Sequence, residues 1–207
     1  MNYVAVLDIG INNLKSIIGA VNYFGHKTIV TNKKDKIMNS SALILPGVGS
    51  YPAGMEKLKK TGLDVVIKKY FKQGKPILAI CLGFQMIFKS SEEFKYTKGL
   101  GLLSGRVKSL KILKTKKMIP NLGWRKINFK KNKKNFLFKG VKSNSTLYFI
   151  HSYFVETTQR EYITSTIDFE KKIVSSIQYK NLYGVQFHPE KSGHSGLQII
   201  KNFLNTV

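Results

Sequence analysis

A chain of 207 residues that is 43% hydrophobic can bury a sizeable core without staples, which argues against large-scale disorder and for one domain over residues 1–207. Cys81 is the lone cysteine, so an intrachain disulfide framework is excluded and a reducing, cytoplasmic setting is expected. The formal charge of +24 raises nucleic acid or an acidic partner, but the cations are lysines apart from Arg106, Arg125 and Arg160; nucleic-acid readers lean on arginine, and a solvated surface of compositional origin is the preferred reading.

In chain order, residues 3–8 are an apolar run with no basic lead, closed by Asp8, and read as a buried first strand rather than a signal peptide. A helix over 13–24 follows, then strands over 28–31 and 42–45. A helical stretch covers 55–73 with a break at Thr61-Gly62, then a strand covers 76–80 and a helix 82–90. The strand runs are continuously apolar, which implies burial on both faces, and their alternation with helices predicts an α/β fold with a central, mostly parallel sheet flanked by helices. The most apolar segment, 77–88, is interrupted by Gln85 and too short to span a bilayer, so no membrane association is expected.

The C-terminal half changes character. Strands over 107–111, 126–129, 146–154, 162–168, 173–179 and 182–187 have short connections, with Lys180-Asn181 as a hairpin turn, and predict an additional antiparallel region. The lysine-rich stretch 130–134 reads as an exposed loop, and a last helix covers 195–204. No repeat and no Pro- or Ser-rich linker divides the chain.

Two segments carry chemistry. In Ala79-Ile80-Cys81-Leu82-Gly83-Phe84-Gln85 a buried strand ends at a thiol and a helix starts at once, the pattern of a nucleophile elbow. The thiol then sits where backbone N–H groups favour thiolate, and the Leu82 N–H points where an oxyanion would form. Taken alone, Cys81 reads more readily as a buried, inert core residue. In Gly184-Val185-Gln186-Phe187-His188-Pro189-Glu190, Pro189 turns the chain after a strand, so that Glu190 can reach back to one imidazole nitrogen while the other faces Cys81. The glycines of Pro46-Gly47-Val48-Gly49-Ser50-Tyr51 let a backbone approach a ligand, although a structural turn fits equally well. A phosphate loop does not fit, because Met55 stands where a lysine is required.

Cys81-Leu82-Gly83-Phe84-Gln85 together with His188-Pro189-Glu190 resembles the class I, triad-type glutamine amidotransferases, which have a flavodoxin-like fold. The segments from Asp8 to Ser16, Pro46 to Tyr51, Pro120 to Trp124, His151 to Tyr153 and Gly184 to Ser192 are similar to the glutaminase subunits of imidazole glycerol phosphate synthases. The resemblance implies Cys81 as nucleophile, His188 as base and Glu190 as the acid orienting it. It implies an oxyanion hole at Val48, Gly49 and Leu82, and glutamine binding by Gly47, Gln85, Ser152 and Tyr153. Asn12, Asn121 and Trp124 would face a partner, a cyclase subunit built as a (β/α)8 barrel and joined as a heterodimer. The ammonia would serve to make imidazole glycerol phosphate and aminoimidazole carboxamide ribotide in histidine biosynthesis. No cofactor, metal or nucleic acid is called for. The rival readings are a paralogous glutaminase feeding another synthase, such as one amidating a surface sugar, and a non-catalytic basic binding protein on the same scaffold.

Overall fold

Buried tetrapeptides build the frame. The computed structural model describes residues 2–10, 14–129 and 135–207. Its first half alternates as expected: β1 (Val4–Leu7), α1 (Lys15–Tyr23), β2 (Thr28–Thr31), α2 (Lys34–Asn39), β3 (Ala42–Leu45), α3 (Tyr51–Thr61), α4 (Leu63–Lys72), β4 (Ile77–Ile80) and α5 (Leu82–Met86). The second half holds β5 (Ser90–Ser91), β6 (Thr97–Lys98), β7 (Arg106–Ser109), β8 (Asn121–Lys126), β9 (Asn128–Phe129), β10 (Thr146–His151), β11 (Tyr153–Glu156), β12 (Ile163–Phe169), β13 (Lys171–Tyr179), β14 (Leu182–Val185) and α6 (Gly193–Leu204).

Eight strands form the main sheet in the order β2-β1-β3-β4-β14-β13-β12-β9. Strands β2 to β14 in that order run parallel, and β13, β12 and β9 add antiparallel to the edge. Strand residues alternate between two cores, as a two-residue period requires. Val4, Val6, Ala42, Ile44, Leu78 and Ile80 join one cluster with α1 and α6; Ala5, Leu7, Leu43, Leu45, Ile77 and Ala79 join the other with α3, α4 and α5. Two smaller sheets, β10-β8 and β11-β7-β5-β6, stand beside the main one.

Several boundaries differ from the sequence expectation. Helix α2 was not expected; only Ile37 is buried in it, too little apolar surface to make a period. The break at Thr61-Gly62 is real, because Gly62 takes φ +68° as the end of α3 and the start of α4. Helix α5 stops at Met86 instead of 90, since the N–H groups of Leu100, Gly101 and Leu102 bond the carbonyls of Met86, Phe88 and Ile87 and replace a further helical turn. The expected single strand 146–154 is two strands in two sheets: β10 pairs with β8, β11 with β7, and the Ser152 carbonyl at the joint accepts from Leu110. The expected strand 126–129 likewise divides between β8 and β9. The lysine stretch 130–134 and Asn12 lie outside the described residues.

Candidate active site

The nucleophile candidate sits at the carboxyl edge of the sheet. The Cys81 N–H donates to the Val185 carbonyl at 2.8 Å, tying the end of β4 to β14. Cys81 has φ +52° and ψ −108°, a conformation that a side chain adopts only when its surroundings impose it. They do. The Gln85 N–H closes the first turn of α5 on the Cys81 carbonyl, and Gly83 lies so close to β3 that an added Cβ would fall 2.0 Å from the Leu45 carbonyl oxygen. The strand-to-helix reversal therefore holds the sulfur out of the sheet. The Leu82 N–H donates to the Gly47 carbonyl at 3.3 Å, so the expected oxyanion donor already has a partner.

His188 follows β14, and Glu190 comes back to it through the turn begun at Pro189. The His188 Nδ1 lies 2.7 Å from Glu190 Oε1; a carboxylate only accepts, so Nδ1 carries the proton. The other ring nitrogen, Nε2, is buried without a hydrogen-bond partner among the described residues, and the Cys81 side chain is the other group that acts on the imidazole. Burial pushes the His188 pKa down, but the Cys81 sulfur and the Glu190 carboxylate together outweigh that and hold the imidazolium favoured well above the ordinary histidine range. A closed loop of hydrogen bonds fixes the backbone: His188 N–H to the Tyr148 carbonyl (2.9 Å), Tyr148 N–H to Ser192 Oγ (2.9 Å), and Ser192 Oγ to the His188 carbonyl (2.6 Å).

A cavity of about 600 Å³ opens on these groups, lined by Cys81, His188, Val48, Gly49, Leu82, Gln85, Ser152 and Tyr153 among others. A larger one, about 1130 Å³ beside β11, β12 and β13, contains neither the thiol nor a histidine. Gly47 is buried beneath the elbow, away from that lining, because an added Cβ there would meet Leu82 and Gly83 at 2.8 Å. Asn121, expected at a partner surface, lies inside the fold. It is 0% exposed, bonded to His151 Nε2 at 2.8 Å and to Arg125 Nε at 2.7 Å, so it has no surface to offer a partner. Trp124 is 50% exposed, edge-on to Tyr148, and is not a core residue.

Two groups escaped the sequence reading. Glu93 lines the cavity, nearly buried, with Oε2 accepting the Tyr51 N–H at 2.8 Å; burial holds its carboxyl above the usual range. Nothing local marks it, because tertiary folding alone brings it to the pocket. Gln186 is 0% exposed and bonds Gln85 and the Cys81 sulfur. Its signal was present: a carboxamide inside an apolar strand run must find partners. Among the described residues, no three His, Cys, Asp or Glu side chains gather as a metal site, and no helix is long and apolar enough to cross a membrane.

Residues 5–207 match the family model for glutamine amidotransferase class-I. A solved glutamine amidotransferase superposes with a TM-score of 0.76 at 16% identity, covering 98% of this chain and 97% of its own. PurLQS from Thermotoga maritima does so with a TM-score of 0.74 at 19% identity, covering 99% and 97%. At such identities the likeness is one of fold. The chain belongs to the class-I glutamine amidotransferases. It is also 39% identical over 204 residues to imidazole glycerol phosphate synthase subunit HisH of Bacillus cereus strain G9842, covering 99% of this chain and 95% of that one. The HisH subunit of Bacillus thuringiensis strain Al Hakam shows the same identity and coverage. Within the class, the chain falls in the HisH family.

Proposed function

We propose that this chain hydrolyses glutamine with Cys81, His188 and Glu190 and delivers the ammonia to a cyclase partner, completing an imidazole glycerol phosphate synthase. The observation that carries the reading is the line Glu190–His188–Cys81, buried at the floor of a cavity with room for an amino acid. The sulfur attacks the side-chain amide carbon, and electrons move onto the amide oxygen. His188, charged and held by Glu190, gives its Nε2 proton to the leaving nitrogen, so ammonia departs and a thioester remains. The neutral ring then takes a proton from water, the hydroxide attacks the thioester, and glutamate leaves as the thiol is restored. Glu190 stays ionised throughout.

The amide oxygen needs donors. The Leu82 N–H is one, with the backbone of Val48 and Gly49 opposite, but Leu82 is engaged by Gly47. Losing one such donor costs a factor of about 100 to 1,000, so turnover stays low until the loop of residues 46–51 shifts. The rim of the site carries exposed Val48, Phe94 and Ile150, and exposed Leu122, paired with Ile150, and Trp124 continue from it along β8, an apolar frame suited to a protein partner. That partner is a (β/α)8 barrel cyclase, and docking over the rim both moves the loop and receives ammonia for imidazole glycerol phosphate and aminoimidazole carboxamide ribotide. At the other end of the cavity, the Glu93 carboxylate binds the glutamine ammonium, and the free oxygen of Gln85 and the Ser152–Tyr153 backbone complete the grip.

Glutamate release tests this, with and without the cyclase and its nucleotide ligand. Cys81→Ser abolishes turnover. Glu93→Gln, which keeps the acceptor for Tyr51, raises KM roughly 10- to 100-fold with kcat little changed. Turnover that survives Cys81→Ser refutes the triad; Cys81-dependent turnover that ignores the cyclase reassigns the ammonia to another synthase.

A further inference from the structure

Among the described residues, the sulfur of Cys81 has two polar neighbours apart from His188. One is the Ile150 carbonyl at 3.8 Å, which accepts from an S–H; the other is Gln186 Nε2 at 3.8 Å, which donates. Sulfur is a large acceptor, so its hydrogen bonds are longer than those to oxygen. Amide ends are often ambiguous, yet here the chain of contacts fixes them. The Tyr153 carbonyl only accepts, and Gln85 faces it at 3.1 Å, so the Gln85 NH2 group lies there. The same NH2 group is 3.0 Å from the Gln186 side chain, which must present its oxygen. The Gln186 NH2 group is then left toward the sulfur. Its backbone is anchored as well, the N–H donating to the Ser175 carbonyl at 2.9 Å.

We propose that Gln186 is a positioning residue for the nucleophile: its buried carboxamide donates to the Cys81 thiolate and, through Gln85, ties the sulfur to the Tyr153 carbonyl on the substrate side of the cavity. The Ile150 carbonyl can only accept from an S–H, so of these two neighbours Gln186 alone can donate to a thiolate. The remaining titratable groups around the sulfur are His188 with Glu190, His151 from β10, and Glu93, Lys111 and Tyr153 on the cavity wall. None of them can replace a neutral donor locked at one angle. The proposal rests on Cys81 being the nucleophile of the glutaminase reaction, and it adds a group outside the triad that fixes the sulfur's direction.

Because Cys81 is the lone cysteine, alkylation by iodoacetamide followed by mass spectrometry reports on it alone. Gln186→Leu removes the carboxamide at similar bulk; Gln186→Met keeps length and offers no donor. Both variants are expected to alkylate about tenfold more slowly, and to lose kcat about 10- to 100-fold with KM within about threefold. Wild-type alkylation rates in folded variants, with KM raised and kcat kept, overturn the proposal and leave Gln186 as a support for Gln85. In the wild-type chain, alkylating Cys81 must also move the Gln186 side-chain amide resonances; unmoved resonances overturn it even if both variants fail to fold. Slowed alkylation without glutamate release under any condition sinks the glutaminase reading and not this one, and unslowed alkylation with normal release does the reverse.

Discussion

His151 and His188 lie in one cavity and are driven in opposite directions. His188 has an acid on one nitrogen and the sulfur beside the other, so its charged form is favoured. His151 donates from Nδ1 to the Tyr153 carbonyl at 2.7 Å and takes Nε2 to the Asn121 amide, which in turn accepts from Arg125. Those partners suit a neutral ring. Burial, against the weaker pull of the Tyr153 carbonyl, pushes its pKa down to about 4, and the nearby His188 and Arg125 charges add to the effect. A folded pKa below the unfolded value of about 6.5 means that the unfolded chain binds the proton first. The stability His151 confers is therefore complete above about pH 6.5 and lost as pH falls toward 4, by roughly 2–3 kcal/mol. His188 works with the other sign: its contribution is full below the unfolded value and disappears at alkaline pH. Urea unfolding of wild type and His151→Gln between pH 7 and 4.5 separates the two. The wild type should lose that much more stability than the variant; parallel curves would mean that His151 is already charged in the fold.

At the scale of elements, the site depends on how closely α5 is pressed against the sheet. An alanine at Gly83 would drive its Cβ into the Leu45 carbonyl oxygen, which is backbone and cannot step aside. Gly83→Ala should cost about 3 kcal/mol or more and displace the elbow. Gly54→Ala is the control, since its Cβ would press on the sulfur of Met86 at 2.8 Å and touch Leu82 Cδ2 at 3.4 Å, both side chains, and the flexible Met86 can give way while α3 gains helix propensity. Denaturation midpoints that fall equally for both variants would remove the steric argument. Strands β2 and β3 were legible to the residue, because Thr28–Thr31 and Ala42–Leu45 are bounded apolar runs. The elbow and the His188 turn were legible for a similar reason: Cys81, Pro189 and Glu190 act through neighbours in sequence. What sequence hid is what distant segments decide. The end of α5 is set by residues 99–103, the division at Ser152 by which sheet each half joins, and the burial of Asn121 by a histidine thirty residues away.

Over the whole molecule, 35 lysines and arginines face 11 acids, so most cations have no acid to pair with. The acids are also partly committed elsewhere. Glu190 holds His188, Glu93 holds the Tyr51 N–H, and Glu156 already takes both Lys108 and Lys171. On α3 and α4, Lys57, Lys59, Lys60, Lys69 and Lys72 are exposed along neighbouring turns. Like charges at such spacing repel in the fold more than in the expanded chain, and the screening length shrinks from about 30 Å at 0.01 M salt to about 10 Å at 0.1 M. Sodium chloride raised over that range should therefore stabilise the chain by about 1 kcal/mol, or about 2–4 °C in melting temperature. The docking rim makes a different case. Val48, Phe94, Leu122, Trp124 and Ile150 are apolar, so the same salt should change the affinity for the cyclase less than about threefold if the charge is compositional. Titrating the partner at both salt concentrations decides between the readings of the +24 charge. A Kd that weakens tenfold or more would give the lysines a part in steering an acidic partner onto the rim, and a flat Kd beside a rising melting temperature would make them surface and nothing else.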